Sequence, residues 1–527
     1  MDKRLFANMT VQRFVLYLFT LVLTISCSPD LDKAQMSCEP APIFPAYEDG
    51  THIPYNIAPL NFTLPDSVCK AYVRVRSSSA QKSFRTGKKV GFPLNFWKRL
   101  TTGAREKQDT IVLELCVRGA SGLITAYPPI RWIVCPDSID PFLTYRLLPS
   151  IEGAYSVPKN GFNVMELRER NLQNFEERIL LSNELMQLNC FNCHTSPNGN
   201  PYQMLLHLRK PSEGTLFFEG KNVSKRALPN LKNVWESLPD SLRMPLTLVY
   251  PAWHPQEDWI AFSTNMVGID GYAPEHKFVD ILDSACNIVL YNVRTNEIVL
   301  DKALWTADFE ETWPAWSLDG KWLYFCRAPK LSPDTVALYP EWGERIQHIR
   351  FDLCRIAFDA GKGRFSDTVQ TLLYAAPGSS YSMPRVQPDG KGVLLCRSHF
   401  NSIPYHALGD LLYLRLDNSE NQENIAEILN SDESESWHDW SGNGRWVVFG
   451  SKRQDAHHEL PYIAYFDGLN FGKPFLLPQK SGNFYLSNLR LFNLPTFERA
   501  ASPICPRQGL EGKNSPALEI GVRSALD

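Results

Sequence analysis

Two segments alternate apolar and polar residues with a period of two, Ala71–Arg76 (AYVRVR) and Thr110–Val117 (TIVLELCV), the pattern of half-buried strands. Together with IPYNIAPLNFTL (53–64) and IRWIVCP (130–136) they fill residues 47–137 with short β runs and predict an N-terminal immunoglobulin-like β-sandwich. Between 138 and 200 the period changes. Glu166–Arg170 and Asn174–Gln187 (NFEERILLSNELMQ) carry apolar residues at helical spacing, which predicts a short helical linker.

After residue 200 the pattern repeats. Tyr250–Asn265 (YPAWHPQEDWIAFSTN), Trp313–Arg327 (WPAWSLDGKWLYFCR), Met383–Arg397 (MPRVQPDGKGVLLCR) and Trp437–Lys452 (WHDWSGNGRWVVFGSK) each read as a strand, a polar turn and a second strand. Asp319-Gly320, Asp389-Gly390 and Asn443-Gly444 supply the positive φ that a tight hairpin needs. The roughly 55–70 residues between copies leave room for two further strands, the four-stranded blade of a β-propeller. Five or six blades are expected over 201–497, with a first blade in 201–249, a divergent closing blade after Tyr462, and a disordered tail at 498–527. These copies resemble the WD-like blades of the TolB-like propeller group, whose P-x-W/F-S-x-D-G-x-x-I/L-x-F pattern is met by Pro314, Trp316, Ser317, Asp319, Gly320, Leu323 and Phe325. The copy at 250 has Gln256-Glu257-Asp258 at its turn, and the copy at 383 has lost its Trp. In this reading the Trp and Asp-Gly residues are blade core and turn, and the resemblance implies a fold without implying a chemistry.

The first residues concern address. Lys3, Arg4 and Arg13 precede an apolar run, Phe14–Ile25, that matches a secretory h-region and falls short of the ~20 residues needed to span a bilayer. Ser26 before Cys27 resembles a bacterial lipobox, with Thr24 standing where that pattern usually has Leu. Residues 1–27 therefore predict a lipoprotein signal ending at a lipidated Cys27, and a cleaved signal or an uncleaved anchor are the alternatives. Residues 28–46, polar and aperiodic, predict a flexible tether. The implied location is the cell envelope, anchored to the outer membrane by lipid, periplasmic or surface-facing.

Composition narrows the partners. The chain has 54 Lys+Arg against 57 Asp+Glu, a formal charge of −3, which lacks the basic footprint of a nucleic-acid binder. Hydrophobic content of 44% excludes disorder for the bulk of the chain. Of the 12 Cys, setting aside Cys27, Cys190 and Cys193 leaves an odd number, so not all can pair within one chain. Cys326 and Cys396 lie in apolar strand-like runs and read as small core residues, whereas Cys69 with Cys116 or Cys135 is a possible bridge.

The sharpest chemical motif is CFNCH at 190–194. On a helical turn, Cys190 and Cys193 would present two thiols to the vinyl groups of one haem, with His194 as the proximal iron ligand. A local disulfide or reducible CxxC pair, a zinc site, and coincidence compete with this reading. Met204 and His207 are the candidate distal metal ligands, and on a strand they would point to opposite faces. His457, His458 and Glu459, with Asp439 nearby, read as a solvated loop rather than a cation site, and Glu310-Glu311 and the DESES run at 432–436 as solvated charge. No GxSxG, Walker or GxGxxG loop stands in a suitable context.

The order of leader, small β domain, CxxCH and TolB-like repeats resembles a family of envelope lipoproteins of Bacteroidota-type bacteria. That resemblance implies a lipid-anchored protein with one covalent haem c beside a propeller, in electron transfer or redox sensing with other envelope or redox proteins. The alternative is a haem-free propeller scaffold for protein or glycan binding, more an interaction protein than a catalyst.

Overall fold

A computed structural model describes residues 34–526 apart from 108, 150–163, 210–212, 228–234, 237, 244–246, 271–279, 340–343, 346–347, 400–408, 417–425 and 489. Residues 1–33, with the leader and Cys27, lie outside the described residues.

The N-terminal β runs form one seven-stranded mixed sheet and a separate pair, Phe62–Thr63 with Lys89–Val90, in place of the two face-packed antiparallel sheets expected. Thr110–Gly119 runs through the middle with alternate residues buried, as its period of two requires. A helix not foreseen, Leu94–Lys107, covers the sheet with Phe96, Trp97, Leu100 and Ala104, and Trp97 Nε1 donates to the carbonyl of Ile57 at 3.0 Å. The expected tether is docked from Gln35 onward: Gln35–Met36 pairs in parallel with Ile124–Ala126, and Phe44 bridges to Thr63. Cys69, Cys116 and Cys135 are unbridged.

The rest is a six-bladed propeller that begins well before residue 201. Blade 1 takes its inner strand, Arg490–Glu498, from late in the chain and its other strands, Phe142–Pro149, Glu166–Asn171 and Glu177–Ser182, from the segment read as a helical linker. This pairing closes the ring. Leu167 and Leu181 are fully buried and the chain there is extended, so the apolar spacing that suggested helices belongs to strands covered by neighbouring elements. Blade 2 has inner strand Phe191–Thr195, followed by Gln203–Leu208, Gly214–Glu219 and Asn222–Arg226. Inner strands Leu248–Trp253, Phe309–Trp316, Ser380–Val386 and Glu435–Trp440 open blades 3 to 6.

The expected disordered tail is ordered. Helix Pro506–Asn514 packs on blades 1 and 2, then Ala517–Leu518 adds in parallel to the outer strand of blade 2 and Gly521–Ala525 to that of blade 3. Adjacent blades are tied by tryptophans on the inner strands: Nε1 of Trp253, Trp316 and Trp440 donates to the carbonyls of Thr195, Ala252 and Arg385 on the preceding blade, at 3.0–3.3 Å. Cys326 and Cys396 are buried core residues, as read from sequence. Among the described residues no helix is long and apolar enough to cross a membrane.

Candidate functional site

Each inner strand carries a bulge at the same place. The ladder to the neighbouring strand slips between Asn192 and Thr195, Val249 and Ala252, Thr312 and Ala315, Ser382 and Arg385, and Ser436 and Asp439; in blade 1 it slips between Asn493 and Thr496. Two residues occupy each slip: Cys193-His194, Tyr250-Pro251, Trp313-Pro314, Met383-Pro384, Trp437-His438 and Leu494-Pro495. The first is left-handed at Tyr250, Trp313, Met383, Trp437 and Leu494, with φ of 45–58°. Such a conformation costs a non-glycine residue about 1–2 kcal/mol. Proline suits the second position because a bulge leaves its residue unpaired in the ladder and proline has no N–H to orphan.

This repeat explains CFNCH. The motif lies on a strand and its bulge, and the Cys-His pair stands where the other blades have Tyr-Pro, Trp-Pro, Met-Pro, Trp-His and Leu-Pro. Only His194 and His438 break the proline rule.

Bulge residues of every blade but the fifth, which contributes Arg385 instead, line a funnel of about 230 Å³ at the end of the axis where the inner strands finish. Tyr250 stacks on Trp313 with ring centres 3.6 Å apart, and Trp313 meets Trp437 edge to face at 5.9 Å, so aromatic rings from three blades share the axis. The charged lining is balanced, Asp140 and Asp439 against Arg385 and Arg499. Asp140 accepts from the Gly442 N–H at 2.6 Å and Asp439 from the Phe497 N–H at 2.9 Å. Burial pushes the Asp439 carboxyl up to about 6 and the Asp140 carboxyl upward as well.

His194 and His438 are each 3% exposed. Burial, and then the cation of Arg146 for one and of Arg385 for the other, lowers both imidazoles to about 3, so both are neutral at pH 7. His438 is satisfied, with Nε2 2.9 Å from the carbonyl oxygen of Leu394 and Nδ1 3.8 Å from Cys396 Sγ. His194 has no partner on either ring nitrogen, and Trp437 Nε1 beside the same cavity has none.

The other sequence candidates fall elsewhere. Met204 is packed in the core between blades 1 and 2, while His207 faces blade 3, with Nδ1 2.8 Å from Thr215 Oγ1 and its ring against Phe262. They point to opposite faces, as strand geometry demands. The Cys190 carbonyl accepts from Arg209 N–H at 2.9 Å. His458 pairs with Asp455 at 2.7 Å. Glu311 and Glu435, read as solvated, are fully buried near the starts of inner strands, where Arg327 and Arg453 face them at 3.1 Å. Burial raises the Glu311 carboxyl to about 8. No cluster of three metal-ligating side chains occurs among the described residues.

These residues as arranged do not fit a c-type haem. The helical turn that would bring two cysteines three apart to one side is absent, because Phe191–Thr195 is a strand with a bulge at Cys193-His194. The funnel that encloses His194 is also smaller than the roughly 300–1,000 Å³ of sites for drug-sized ligands, and a porphyrin needs at least that. Sequence reasoning missed Tyr250, Trp313, Arg385, Trp437, Asp439 and Arg499 as a group, although the recurring aromatic-Pro or aromatic-His pair was visible in the repeats.

No family model matches the chain, and no curated protein does. Among solved structures it is similar to an oligogalacturonate lyase in complex with manganese, at 13% identity over 64% of this chain and 74% of that one, TM-score 0.32. An oligogalacturonate lyase from Vibrio parahaemolyticus gives 10% identity over 60% and 77%, TM-score 0.28. A hypothetical selenium-binding protein from Sulfolobus tokodaii gives 8% over 78% and 90%, TM-score 0.34. Likenesses this weak say nothing of what the chain binds; they accompany a six-bladed propeller built on its own repeats.

Proposed function

We propose that this chain is a haem-free binding protein whose propeller takes a small polar ligand in its axial funnel. The observation that carries this reading is His194: a buried imidazole in the cavity wall, with neither ring nitrogen hydrogen-bonded within the fold. Leaving a buried polar group unsatisfied costs about 1–3 kcal/mol, and a ligand that bonds to it recovers that loss. The left-handed bulges add to the case, because strain that recurs at one register, at Tyr250, Trp313, Trp437 and Leu494 in the wall of one cavity, accompanies binding sites. A volume near 230 Å³ suits a ligand of about one ring. The leader, read as a lipoprotein signal, would hold this receptor at an envelope membrane through Cys27.

The test is a ligand-observed NMR screen of small polar compounds against the mature chain and its His194→Leu variant. Binders of the parent that are lost in the variant support the funnel. An absence of binders, or binders that His194→Leu retains, contradicts it.

A further inference from the structure

We infer that the ligand of the funnel is an uncharged, polyhydroxylated ring, such as the terminal sugar of a neutral glycan; this rests on the funnel being a binding site. Three orphaned atoms set what the ligand must offer. A neutral imidazole offers one donor and one acceptor, and the Trp437 indole offers one donor. A carboxylate only accepts, so it would leave the acceptor nitrogen of His194 unsatisfied. An ammonium group only donates, so it would leave both donors unsatisfied. A hydroxyl does both, and two neighbouring hydroxyls can serve all three atoms.

Charge agrees with this. The funnel wall carries two acids and two arginines, so it offers a charged ligand no net attraction, while fork donors and carboxylates are both good partners for hydroxyls. Shape agrees as well. The C–H face of a pyranose is apolar and its rim is polar, which matches rings on the axis at Tyr250, Trp313 and Trp437 with hydrogen-bonding groups around them.

The experiment is a titration of the mature chain, followed by tryptophan fluorescence and calorimetry, with methyl hexopyranosides, the matching hexuronates, inorganic phosphate and benzyl alcohol. The parent is expected to bind at least one neutral glycoside and to bind it more tightly than its uronate. Trp437→Phe, which removes the N–H and shortens the indole to one ring, should weaken that binding at least about tenfold, and His194→Leu about a hundredfold, the loss of one and two hydrogen bonds respectively. Tighter binding of uronate or phosphate, or binding of benzyl alcohol alone, overturns the sugar assignment and leaves the funnel standing as a site. Glycoside binding that neither variant weakens overturns it too, by placing the sugar elsewhere. If none of the probes binds the folded parent, the sugar assignment falls, and an empty NMR screen beside it removes the funnel reading as well.

Discussion

His194 in blade 2 and His438 in blade 6 hold the same bulge position, yet only His438 is hydrogen-bonded. One of two equivalent imidazoles thus serves the fold and the other is left for something outside it.

The stability of His194→Leu follows from this. The variant fills a similar volume and removes two buried polar atoms that bond to nothing in the fold. Urea unfolding at pH 7 should show the variant more stable by about 1 kcal/mol while ligand binding is lost. A loss of stability would mean that the imidazole is already satisfied within the fold.

The same variant has a pH signature. Unfolded, the imidazole takes a proton near pH 6.5; folded, with burial and Arg146 against it, only near 3. Between those values the unfolded state binds a proton that the native state refuses, so this contribution is intact above pH 6.5 and is lost as the pH falls toward 3. From pH 7 to pH 5 the parent should lose about 2 kcal/mol more than His194→Leu. Parallel curves for the two proteins would place the folded imidazole near its ordinary value.

Much of the fold was legible where the cause was local. The Asp319-Gly320 and Asn443-Gly444 turns announced hairpins, and both are built as their sequences suggest: Ser317 and Ser441 Oγ accept from the N–H of Trp322 and Trp446, each at 3.0 Å. The blade expected in 201–249 lacked its inner strand, Phe191–Thr195, because the turn that follows that strand is one residue longer. Thr195 faces Leu205 in the ladder, ten positions on, where Ala315 faces Tyr324, nine positions on. With that offset CHTSPNGN no longer aligns with WPAWSLDG, and CFNCH stood out as an isolated motif. Blade 1 was hidden for a different reason, since Phe142–Pro149 pairs with a strand that begins at Arg490 and no local period records such a closure. The helix Leu94–Lys107 did carry its signal, Phe96, Trp97, Leu100 and Ala104 at helical spacing.

Two turn glycines separate strain from collision. Gly320 and Gly390 have φ of 69° and 74°, but a Cβ on Gly320 would run into the His254 ring, whereas one on Gly390 meets nothing within 4 Å. Gly390→Ala should cost about 1–2 kcal/mol, the left-handed penalty alone. Gly320→Ala should cost more by at least about 1 kcal/mol, since the His254 ring, held 3.0 Å from the Gly320 carbonyl, must shift. Equal losses in urea unfolding would contradict the close packing of that turn.

The inter-blade tryptophans should act through their N–H as well as their bulk. Trp316→Phe keeps an aromatic ring but leaves the Ala252 carbonyl without its donor. A loss of about 1–3 kcal/mol is expected, greater than the effect of Tyr374→Phe on the surface. A negligible effect in the same unfolding assay would show that the latch is incidental.

Removing residues 516–527 should expose outer strands without disturbing the funnel. Hydrogen exchange should rise in Asn222–Arg226 and Glu297–Asp301, which lose their parallel partners, and stay unchanged in blade 4. Equal protection in all three would mean that the clasp adds nothing to the blades it covers.

The central claim is that the Cys-His step of CFNCH is a blade bulge that sets His194 in the wall of a ligand funnel, rather than a haem attachment site. Intact mass of the chain, expressed with its leader in a host carrying c-type haem maturation machinery, tests this most directly. The account predicts that no haem adduct forms and that the double variant Cys190→Ala/Cys193→Ala changes the mass only by its own substitutions. A covalent haem adduct on the parent that vanishes in that double variant would contradict it.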